Sequence, residues 1–492
     1  MTERRVLTGI TVLAGIVFFV AVRLRLPALP MGDEPHYLAL AQALVKYHSF
    51  DPTPVYLHRD YWEYYATEID PHVGVVDGRA VPFHNVGLPL LIALPFAVAG
   101  RAGAHLVTWL CAVATVWHMF RLLRDLRMPV WTAGVVTVAM TFGTTVYVYA
   151  SMLFVEPVGT LVVLYAVRVA LKGWDAGPWR FALASAGVGY LPWVHGRYAI
   201  FPVTFAVLFS WRIWTAVGRR RAPYLWALVP MTALVGAQET FNMIMYRSLS
   251  PAPGNTGALD DGLFRLSPDR GLLFLAFDGR FGMLSNFPVV VLAVAGILLC
   301  LNRAHRDTNA ILLATTVPYT ILISTFPSWH AGFSPPGRLL STVVPPLAYY
   351  VAVVLRRLPG TLYAIEAAVA YAFTMSALSD VHPLERFRWN SHGGNAPLQR
   401  MADLLGTSLP QFVPMARADN RIDPPGEVRF TAWLVATAAV VAFVWWRGRI
   451  RAGRKGDGRP MEQDVTPNGS GPVGTTAADG AGRRRDRAGV RS

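Results

Sequence analysis

Long apolar blocks constrain the fold of this chain more than any other feature of its sequence. Residues 6–22, 289–301, 311–325 and 430–446 contain no charged side chain. An α-helix needs about 20 apolar residues to cross the roughly 30 Å hydrocarbon core of a bilayer. Only 15% of the residues are charged and 53% are hydrophobic, whereas about 25% are charged in a typical soluble chain. The sequence therefore predicts an all-α polytopic membrane protein with about 12 (11–13) transmembrane helices.

Basic residues predict the orientation of these helices. Arg4 and Arg5 precede the first apolar block, and further basic clusters lie at residues 121–127, 219–221 and 447–455. Lys and Arg are enriched in cytoplasmic loops, so both termini are expected in the cytoplasm. The composition, rich in Ala, Arg, Gly and Val, favours a bacterial plasma membrane. These loops account for the net charge of +15, so we expect membrane lipids as partners and no nucleic acid.

Residues 86–120 allow two interpretations. They form either one crossing with an interfacial lead-in or two short helices broken near Gly100 and Gly103. The alternation of basic loops favours one crossing here, which gives 12 helices, whereas two crossings would give about 13.

The apolar blocks divide the chain into four parts. Residues 1–378 are predicted to form a transmembrane catalytic module, with a first extracytoplasmic loop at residues 26–85. Another extracytoplasmic loop follows at residues 379–428, and the last transmembrane helix covers residues 429–446. Residues 447–492 have almost no large apolar side chains, so they cannot bury enough surface to fold. We expect them to be a disordered basic cytoplasmic tail.

The first loop contains the sharpest cluster of reactive side chains. It has eight carboxylates against three cations, which suits an extracytoplasmic position. Asp33 and Glu34 stand directly before Pro35, and proline favours the first turn of a helix. Asp33 is then either a simple cap of this helix or a carboxylate that faces a cavity.

An Asp-Glu pair in a long first extracytoplasmic loop, on a chain of about a dozen helices, resembles the GT-C superfamily. Its members are integral-membrane glycosyltransferases that use polyprenyl-phosphate sugars. The nearer relatives are the protein O-mannosyltransferases and the lipid A aminoarabinose transferase. Residues 81–91, 277–284 and 329–340 are similar to segments of these families or of uncharacterised bacterial members. The resemblance extends over residues 4–377.

The resemblance implies an inverting glycosyltransferase. Asp33 is expected to be the general base that takes a proton from the acceptor hydroxyl, and Glu34 to orient the acceptor or to pair with a cation. The expected donor is a polyprenyl-phosphate sugar, with mannose, arabinose or a similar sugar. The expected acceptor is a glycan, a lipid or a protein on the extracytoplasmic side. Negative charge develops on the leaving lipid phosphate and needs a cation or a metal nearby.

Polar residues at other predicted outer helix ends complete the candidate site. Three arginines are candidates to bind the donor phosphate bidentately: Arg338, Arg280 and Arg197. Alternatively, they extend to lipid headgroups or form structural ion pairs. The candidate residues of a substrate cavity are Glu156, His84, His195, Trp329 and His330.

The sequence leaves a divalent metal ion open. The candidate ligands lack the spacing of a zinc site; they are Asp33, Glu34, His36, His84 and Glu156. Some relatives have a glutamate just before the second helix, where this chain has His84, Asn85 and Val86. This departure weakens the expectation of a metal.

Two other functions stay open at this point. A secondary transporter or lipid flippase would explain embedded polar residues, but the sequence lacks the paired repeats that are typical of transporters. A non-catalytic GT-C-like assembly subunit would keep Asp33 without using it. The sequence does not determine the sugar, the acceptor or the oligomeric state.

Overall fold

A computed structural model shows a helical bundle with one small β-hairpin. The structure describes residues 2–215, 221–249, 266–332, 334–381, 395–417 and 420–454. Residues 382–394 of the predicted second loop, and the predicted tail from residue 455 onward, lie outside these ranges.

The described α-helices are numbered in chain order. They are α1 (Glu3–Arg25), α2 (Glu34–Lys46), α3 (Thr53–Leu57), α4 (Gly87–Asp125), α5 (Val130–Phe142), α6 (Thr145–Ala150), α7 (Glu156–Lys172), α8 (Pro178–Val194), α9 (Ile200–Thr215), α10 (Ala222–Trp226), α11 (Val229–Tyr246), α12 (Pro268–Phe277), α13 (Met283–Asn286), α14 (Val290–Leu299), α15 (Arg306–Ser324), α16 (Ala348–Arg357), α17 (Thr361–Val381), α18 (Ala396–Leu405) and α19 (Pro424–Arg454). The strands are β1 (Val73–Val76) and β2 (Arg79–Pro82). Short 3-10 helices cover Asp60–Glu63, Gly173–Ala176, Gly196–Ala199, Arg303–His305, Arg338–Val343, Pro345–Leu347 and Leu409–Phe412.

Six helices in the described part of the chain are long and apolar enough to cross a membrane. Their most apolar windows have mean hydropathies between 1.2 and 2.2; the spans are Glu3–Arg25, Gly87–Asp125, Glu156–Ala176, Gly196–Thr215, Thr361–Leu378 and Pro424–Arg451. The predicted all-α membrane fold is confirmed. The total of about 12 crossings stays a prediction, because other apolar helices such as α5 and α14 are shorter than the roughly 20 residues of a full span.

Helix α4 is broken at Ala99 and Gly100, and Gly100 has a φ of 56°. Residues 87–98 extend over about 18 Å at 1.5 Å per residue, too little for a bilayer core, whereas residues 101–125 extend over about 37 Å. This geometry agrees with one crossing preceded by a lead-in segment.

The long part of α4 packs antiparallel to α1. At one end, Arg124 Nε donates to a Glu3 carboxylate oxygen at 2.9 Å. At the other end, Arg101 Nη1 donates to the Leu26 carbonyl at 3.1 Å. Both ends of the pair are therefore fixed, and the loop that follows α1 begins beside Arg101.

This first loop folds into a compact layer rather than an irregular connection. Ala39 and Ala43 of α2 pack on Val55, Tyr56 and Tyr61. The small alanines let these large side chains approach the helix closely, so the layer has its own apolar core. The predicted helix after Pro35 is present as α2.

Residues 395–417 fasten onto the loop around Asp278. The buried Asp278 carboxylate accepts hydrogen bonds from the backbone N–H groups of Arg280 at 2.9 Å and Ala416 at 2.8 Å. Asn395 donates to the Gly279 carbonyl at 2.6 Å. These contacts join two segments that are far apart in the sequence and support the loop that leads to residue 338.

Helix α19 is longer than the predicted last transmembrane helix. It begins at Pro424, before residue 429, and extends to Arg454, beyond residue 446. The basic residues at the start of the predicted tail therefore continue the helix.

Candidate active site around Arg338

Asp33 stands directly before α2, but its carboxylate makes no hydrogen bond to cap that helix within the described structure. Instead, Asp33 Oδ2 accepts a hydrogen bond from Arg338 Nη2 at 2.5 Å, across 305 positions of sequence. The backbone carbonyl of Asp33 accepts the first helical bonds, from His36 and Tyr37 at 3.1 Å. The carboxylate is thus turned toward the helix bundle and not used as a local cap.

The Arg338 guanidinium lies at the centre of the site and is buried, with 6% of the residue exposed. Besides Asp33, it donates from Nε to Glu156 Oε1 at 2.9 Å and from Nη1 to the Ala331 carbonyl at 2.9 Å. The Phe154 ring covers its flat face, with its centroid 4.4 Å from Cζ. A planar guanidinium with fixed donors is well suited to this arrangement, and Arg338 lies between two carboxylates.

Gly337 places Arg338 in this position. Its φ is 69°, a conformation that glycine adopts without a steric penalty. A Cβ atom here would lie 2.8 Å from the side chains of Met283 and Thr145. The glycine of the Ser-Pro-Pro-Gly sequence is therefore required both by its backbone conformation and by its close packing.

Glu156 links Arg338 to a second arginine. It begins α7 and is fully buried. Glu156 Oε1 accepts from Arg197 Nη2 at 2.6 Å as well as from Arg338, and Arg197 also donates to the Tyr198 hydroxyl at 3.1 Å. Buried ions need such compensation, because desolvation costs several kcal/mol per ion. The charges alternate in sign and sum to zero along what we call the charge chain: Asp33, Arg338, Glu156 and Arg197.

A small cavity of ≈ 10 Å³ lies beside Glu156, which is about the space that one water molecule needs. Two atoms of its wall, Glu156 Oε2 and Thr145 Oγ1, have no hydrogen-bond partner among the described residues. Buried polar atoms of this kind usually bind ordered water or a ligand. The cavity therefore offers free polar groups next to the charge chain. Its lining residues are Ala112, Thr115, Thr145, Val146, Tyr149, Glu156, Pro157, Thr160 and Ser341.

Glu34 stabilises the fold and is not a member of the charge chain. Its two carboxylate oxygens accept from the backbone N–H of Met31 at 2.8 Å and of Leu153 at 2.7 Å. The second bond ties the start of α2 to the segment before α7. Glu34 thereby positions Asp33 relative to Glu156.

Three histidines, which we call the histidine cluster, pack near Asp33: His36, His72 and His84. The β1–β2 hairpin brings His72 and His84 together, and His72 Nδ1 lies 2.7 Å from His84 Nε2. The His36 ring stacks on His72 with a centroid distance of 3.4 Å. His36 Nδ1 also lies 2.9 Å from the Tyr56 hydroxyl. The histidine cluster therefore lies along one side of the charge chain, next to Asp33.

Electrostatics favour an ionised Asp33 and neutral histidines. Burial alone raises the pKa of Asp33, but the charge of Arg338, with a smaller effect from His84, holds that pKa well below its usual range. Burial lowers the pKa of His84 to about 4. Burial, together with repulsion from the other two histidines, lowers the pKa of His36 to about 2. At neutral pH, Asp33 is therefore an ionised carboxylate paired with Arg338.

The fold has a counterpart among solved structures, although no protein-family profile and no curated protein matches the sequence. The chain is similar to the crystal structure of ArnT from Cupriavidus metallidurans bound to undecaprenyl phosphate. The TM-score is 0.52, with 16% identity over 92% of this chain and 78% of that chain. The chain has the GT-C fold. A second similarity is to the Archaeoglobus fulgidus oligosaccharyltransferase tethered to an acceptor peptide, with a TM-score of 0.43 and 13% identity over 77% of this chain and 55% of that chain.

Within this GT-C fold, the other predicted site residues lie beside the charge chain, not in it. The Arg280 side chain donates to the Ala416 carbonyl, and Trp329 Nε1 donates to Asn420 at 2.7 Å. His330 Nδ1 accepts from the backbone of Gly332 at 3.1 Å. These side chains fasten the loops around Asp278, Trp329 and Ala416 to one another.

His195 lies at the other end of the charge chain. Its Nδ1 accepts a hydrogen bond from the Arg197 backbone N–H at 3.2 Å, at the start of the 3-10 helix Gly196–Ala199. The ring therefore fixes the turn from which the Arg197 side chain reaches Glu156.

Sequence reasoning missed several residues of the site. One of them is His72, which a hairpin brings to the already predicted His84. The Asp-Gly turn between the two histidines is a strong hairpin signal, so this contact could have been predicted from the sequence. Tyr198 and Thr342, whose hydroxyls lie 3.0 Å apart next to Arg197, carry no local signal. Tyr198 lies in the 3-10 helix Gly196–Ala199 and Thr342 in the 3-10 helix Arg338–Val343, 144 positions apart, so they meet only in the folded chain.

The described residues do not fit a divalent metal. No group of three His, Cys, Asp or Glu side chains in the described ranges could hold one. Among the candidate ligands, Asp33 and Glu156 both bind the Arg338 guanidinium, whose positive charge would repel a cation. No step of the chemistry is assigned to a metal here.

Proposed function

We propose that this protein is an inverting glycosyltransferase that moves a sugar from a polyprenyl-phosphate donor to an extracytoplasmic acceptor. The observation that carries the proposal is the partly buried contact between Asp33 and Arg338 at 2.5 Å. It places a carboxylate beside a cation at a single site, as a base and a phosphate-binding group need to be. The GT-C fold supports it, since ArnT, with the same fold, is described as bound to undecaprenyl phosphate.

Each member of the site then has a role in the transfer. The acceptor oxygen forms a bond to the anomeric carbon while its proton moves to Asp33. The bond between that carbon and the phosphate oxygen breaks, and the electron pair leaves with the lipid phosphate. Arg338 stabilises the negative charge that develops on this phosphate, by charge-assisted hydrogen bonds. Attack opposite the leaving phosphate inverts the anomeric carbon.

Glu156 and Arg197 are proposed to hold Arg338 in place. Removing one partner of a buried ion pair costs about 3–5 kcal/mol, because the other charge stays unpaired. Glu156 pairs with both Arg338 and Arg197, so none of these three charges is left unpaired. The small cavity next to Glu156 has room for about one water molecule.

The deciding experiment measures sugar transfer in membranes that contain the protein. Radiolabelled polyprenyl-phosphate mannose and arabinose are supplied to the wild type, Asp33→Asn and Asp77→Asn. Asp77 makes the matched control, since it lies in the same loop and its side chain is 71% exposed beside Arg247. We expect transfer by the wild type and Asp77→Asn and a loss with Asp33→Asn. Transfer by Asp33→Asn at the wild-type rate would remove Asp33 as the base.

We also propose a bacterial plasma membrane with the termini in the cytoplasm. The Glu3 end of the α1–α4 pair carries Arg121 and Arg124, and the other end carries the acidic first loop. The positive-inside rule then puts the charge chain on the extracytoplasmic side.

A further inference from the structure

The geometry of the Arg338 guanidinium restricts how a phosphate can bind to it. Nε donates to Glu156, Nη1 to the Ala331 carbonyl and Nη2 to Asp33. A bidentate phosphate uses two nitrogens on one edge of the guanidinium. Both two-nitrogen edges, Nε with Nη2 and Nη1 with Nη2, include Nη2. Each terminal nitrogen keeps a second N–H, so a phosphate on either edge shares Nη2 with Asp33. It thereby brings a second anion against the Asp33 carboxylate, and the two repel.

Among the partners of Arg338, Asp33 is the one that can give way. The Asp33 side chain is 25% exposed, whereas that of Glu156 is 1% exposed. Glu156 is also held by Arg197 at 2.6 Å, and Ala331 contributes a backbone carbonyl. Asp33 has the freedom to turn away, since its carboxylate does not cap α2 within the described structure.

We propose that the donor phosphate displaces Asp33 from Arg338, so that the base becomes available to the acceptor only after the donor has bound. This inference rests on the proposed glycosyl transfer and adds an order of events to it. Donor binding comes first, and the same contact that holds the phosphate releases the carboxylate.

The charge of the site supports this order. The charge chain sums to zero in the structure, and a phosphodiester adds one negative charge. A carboxylate that loses an arginine partner and gains a negative neighbour becomes a stronger base, because both changes favour its protonated form. While Asp33 is paired with Arg338, its pKa stays well below the usual range, so it takes a proton poorly. The donor therefore converts Asp33 from a structural anion into a base.

The test uses undecaprenyl phosphate, which carries the phosphate but no sugar to transfer. The purified full-length protein is treated with a hydrophobic carbodiimide, which reacts with protonated carboxyl groups, with and without this lipid. Modification of the Asp33 peptide is measured by mass spectrometry. Loss of an arginine partner shifts a carboxyl pKa by about 1–3 units, so we expect modification of Asp33 to rise about tenfold or more with the lipid.

Two comparisons make this result specific. Glu239 is the internal control, because its Oε2 has no hydrogen-bond partner among the described residues and no arginine to lose; its modification should not change with the lipid. In Arg338→Gln, Asp33 should be modified strongly without lipid and should not respond further. If this variant does not fold, the two wild-type measurements still decide the question.

The outcomes separate the inference from the proposed function. If the lipid binds, as measured by native mass spectrometry, and modification of Asp33 does not rise, the inference is overturned while the proposed transfer stands. If the lipid does not bind, the inference falls together with the proposed donor class. Sugar transfer in membranes, measured independently, reports on the reaction itself.

Discussion

At the scale of single residues, Arg338 organises the site. Its guanidinium contacts two carboxylates, one carbonyl and one aromatic ring, so it does not extend to the lipid headgroups. Arg280 was the weaker candidate in the sequence, and in the structure its side chain donates to the Ala416 carbonyl. The two arginines therefore differ in what they can offer a phosphate.

Arg338→Lys should lower the rate of sugar transfer by about 10²–10³-fold, the usual cost of removing one donor that stabilises developing charge. A lysine keeps the charge but cannot bind Asp33, Glu156 and a phosphate with planar geometry. The matched control is Arg280→Lys, for which we expect less than about a tenfold loss. Equal losses in the two variants, at equal membrane content, would contradict the assignment of Arg338.

The histidine cluster should make stability fall as the pH is lowered. The pKa of His84 is about 4 in the folded protein and about 6.5 in an unfolded chain. Between these values the unfolded chain binds protons that the folded protein does not. Stability is therefore complete above pH about 6.5 and decreases as the pH falls toward 4.

Thermal unfolding in detergent at pH 7 and pH 5 measures this effect. We expect His72→Gln to reduce the difference between the two melting temperatures, since it removes a member of the cluster. His58→Gln, an exposed histidine of the same loop, should keep the wild-type difference. A variant His72→Gln with an unchanged pH dependence would show that the cluster does not titrate on unfolding.

At the scale of elements, short irregular segments between long helices place the reactive groups. Asp33 precedes α2, Glu156 begins α7, and Arg338 begins a 3-10 helix after Gly337. Each of these starts is fixed by proline or glycine: Pro35, Pro157 and Gly337. The ends of helices, not their apolar middles, therefore carry the chemistry.

Gly337→Ala should destabilise the protein and lower transfer. An alanine at φ 69° is strained by about 1–3 kcal/mol, and its Cβ would collide with Met283 and Thr145. Gly332→Ala is the matched control, because Gly332 also has a φ of 69° but no atom of the described residues lies within 4 Å of a Cβ there. We expect a lower melting temperature and a larger loss of transfer for Gly337→Ala. Equal effects would mean that packing around Arg338 is unimportant.

At the scale of the whole molecule, charge is segregated along the bundle. Basic residues lie at one end of the α1–α4 pair, and the acidic first loop covers the other end. The charge chain lies at the acidic end but is neutral in itself. This separation predicts the orientation in the membrane, while the local compensation allows three ions to be buried beside the partly exposed Asp33.

Labelling with a membrane-impermeant maleimide in intact cells tests the orientation. Both native cysteines, Cys111 and Cys300, are first replaced by alanine. Trp62→Cys, at an exposed position of the first loop, should react in intact cells. Arg303→Cys, exposed between α14 and α15, should react only after permeabilisation. The reverse pattern would invert the topology and place the charge chain in the cytoplasm.

The sequence alone determined the features that depend on local pattern. Apolar length predicted the all-α membrane fold, because the cost of burying polar groups in lipid acts on each segment separately. Pro35 predicted the start of α2, and a break near Gly100 was one of the two interpretations of the segment that forms α4. The Asp-Glu pair pointed to Asp33, and the charge pattern gave an orientation that labelling can test.

Only the tertiary structure decided how these residues are used. Asp33 and Arg338 are 305 positions apart, and no local sequence pattern predicts that they form a pair. Adjacent acids received different partners: Asp33 binds Arg338, while Glu34 binds backbone N–H groups at Met31 and Leu153. The physical reason is that a buried charge must be compensated by whatever group the packing of helices brings within hydrogen-bond distance, and that choice is made by the whole fold.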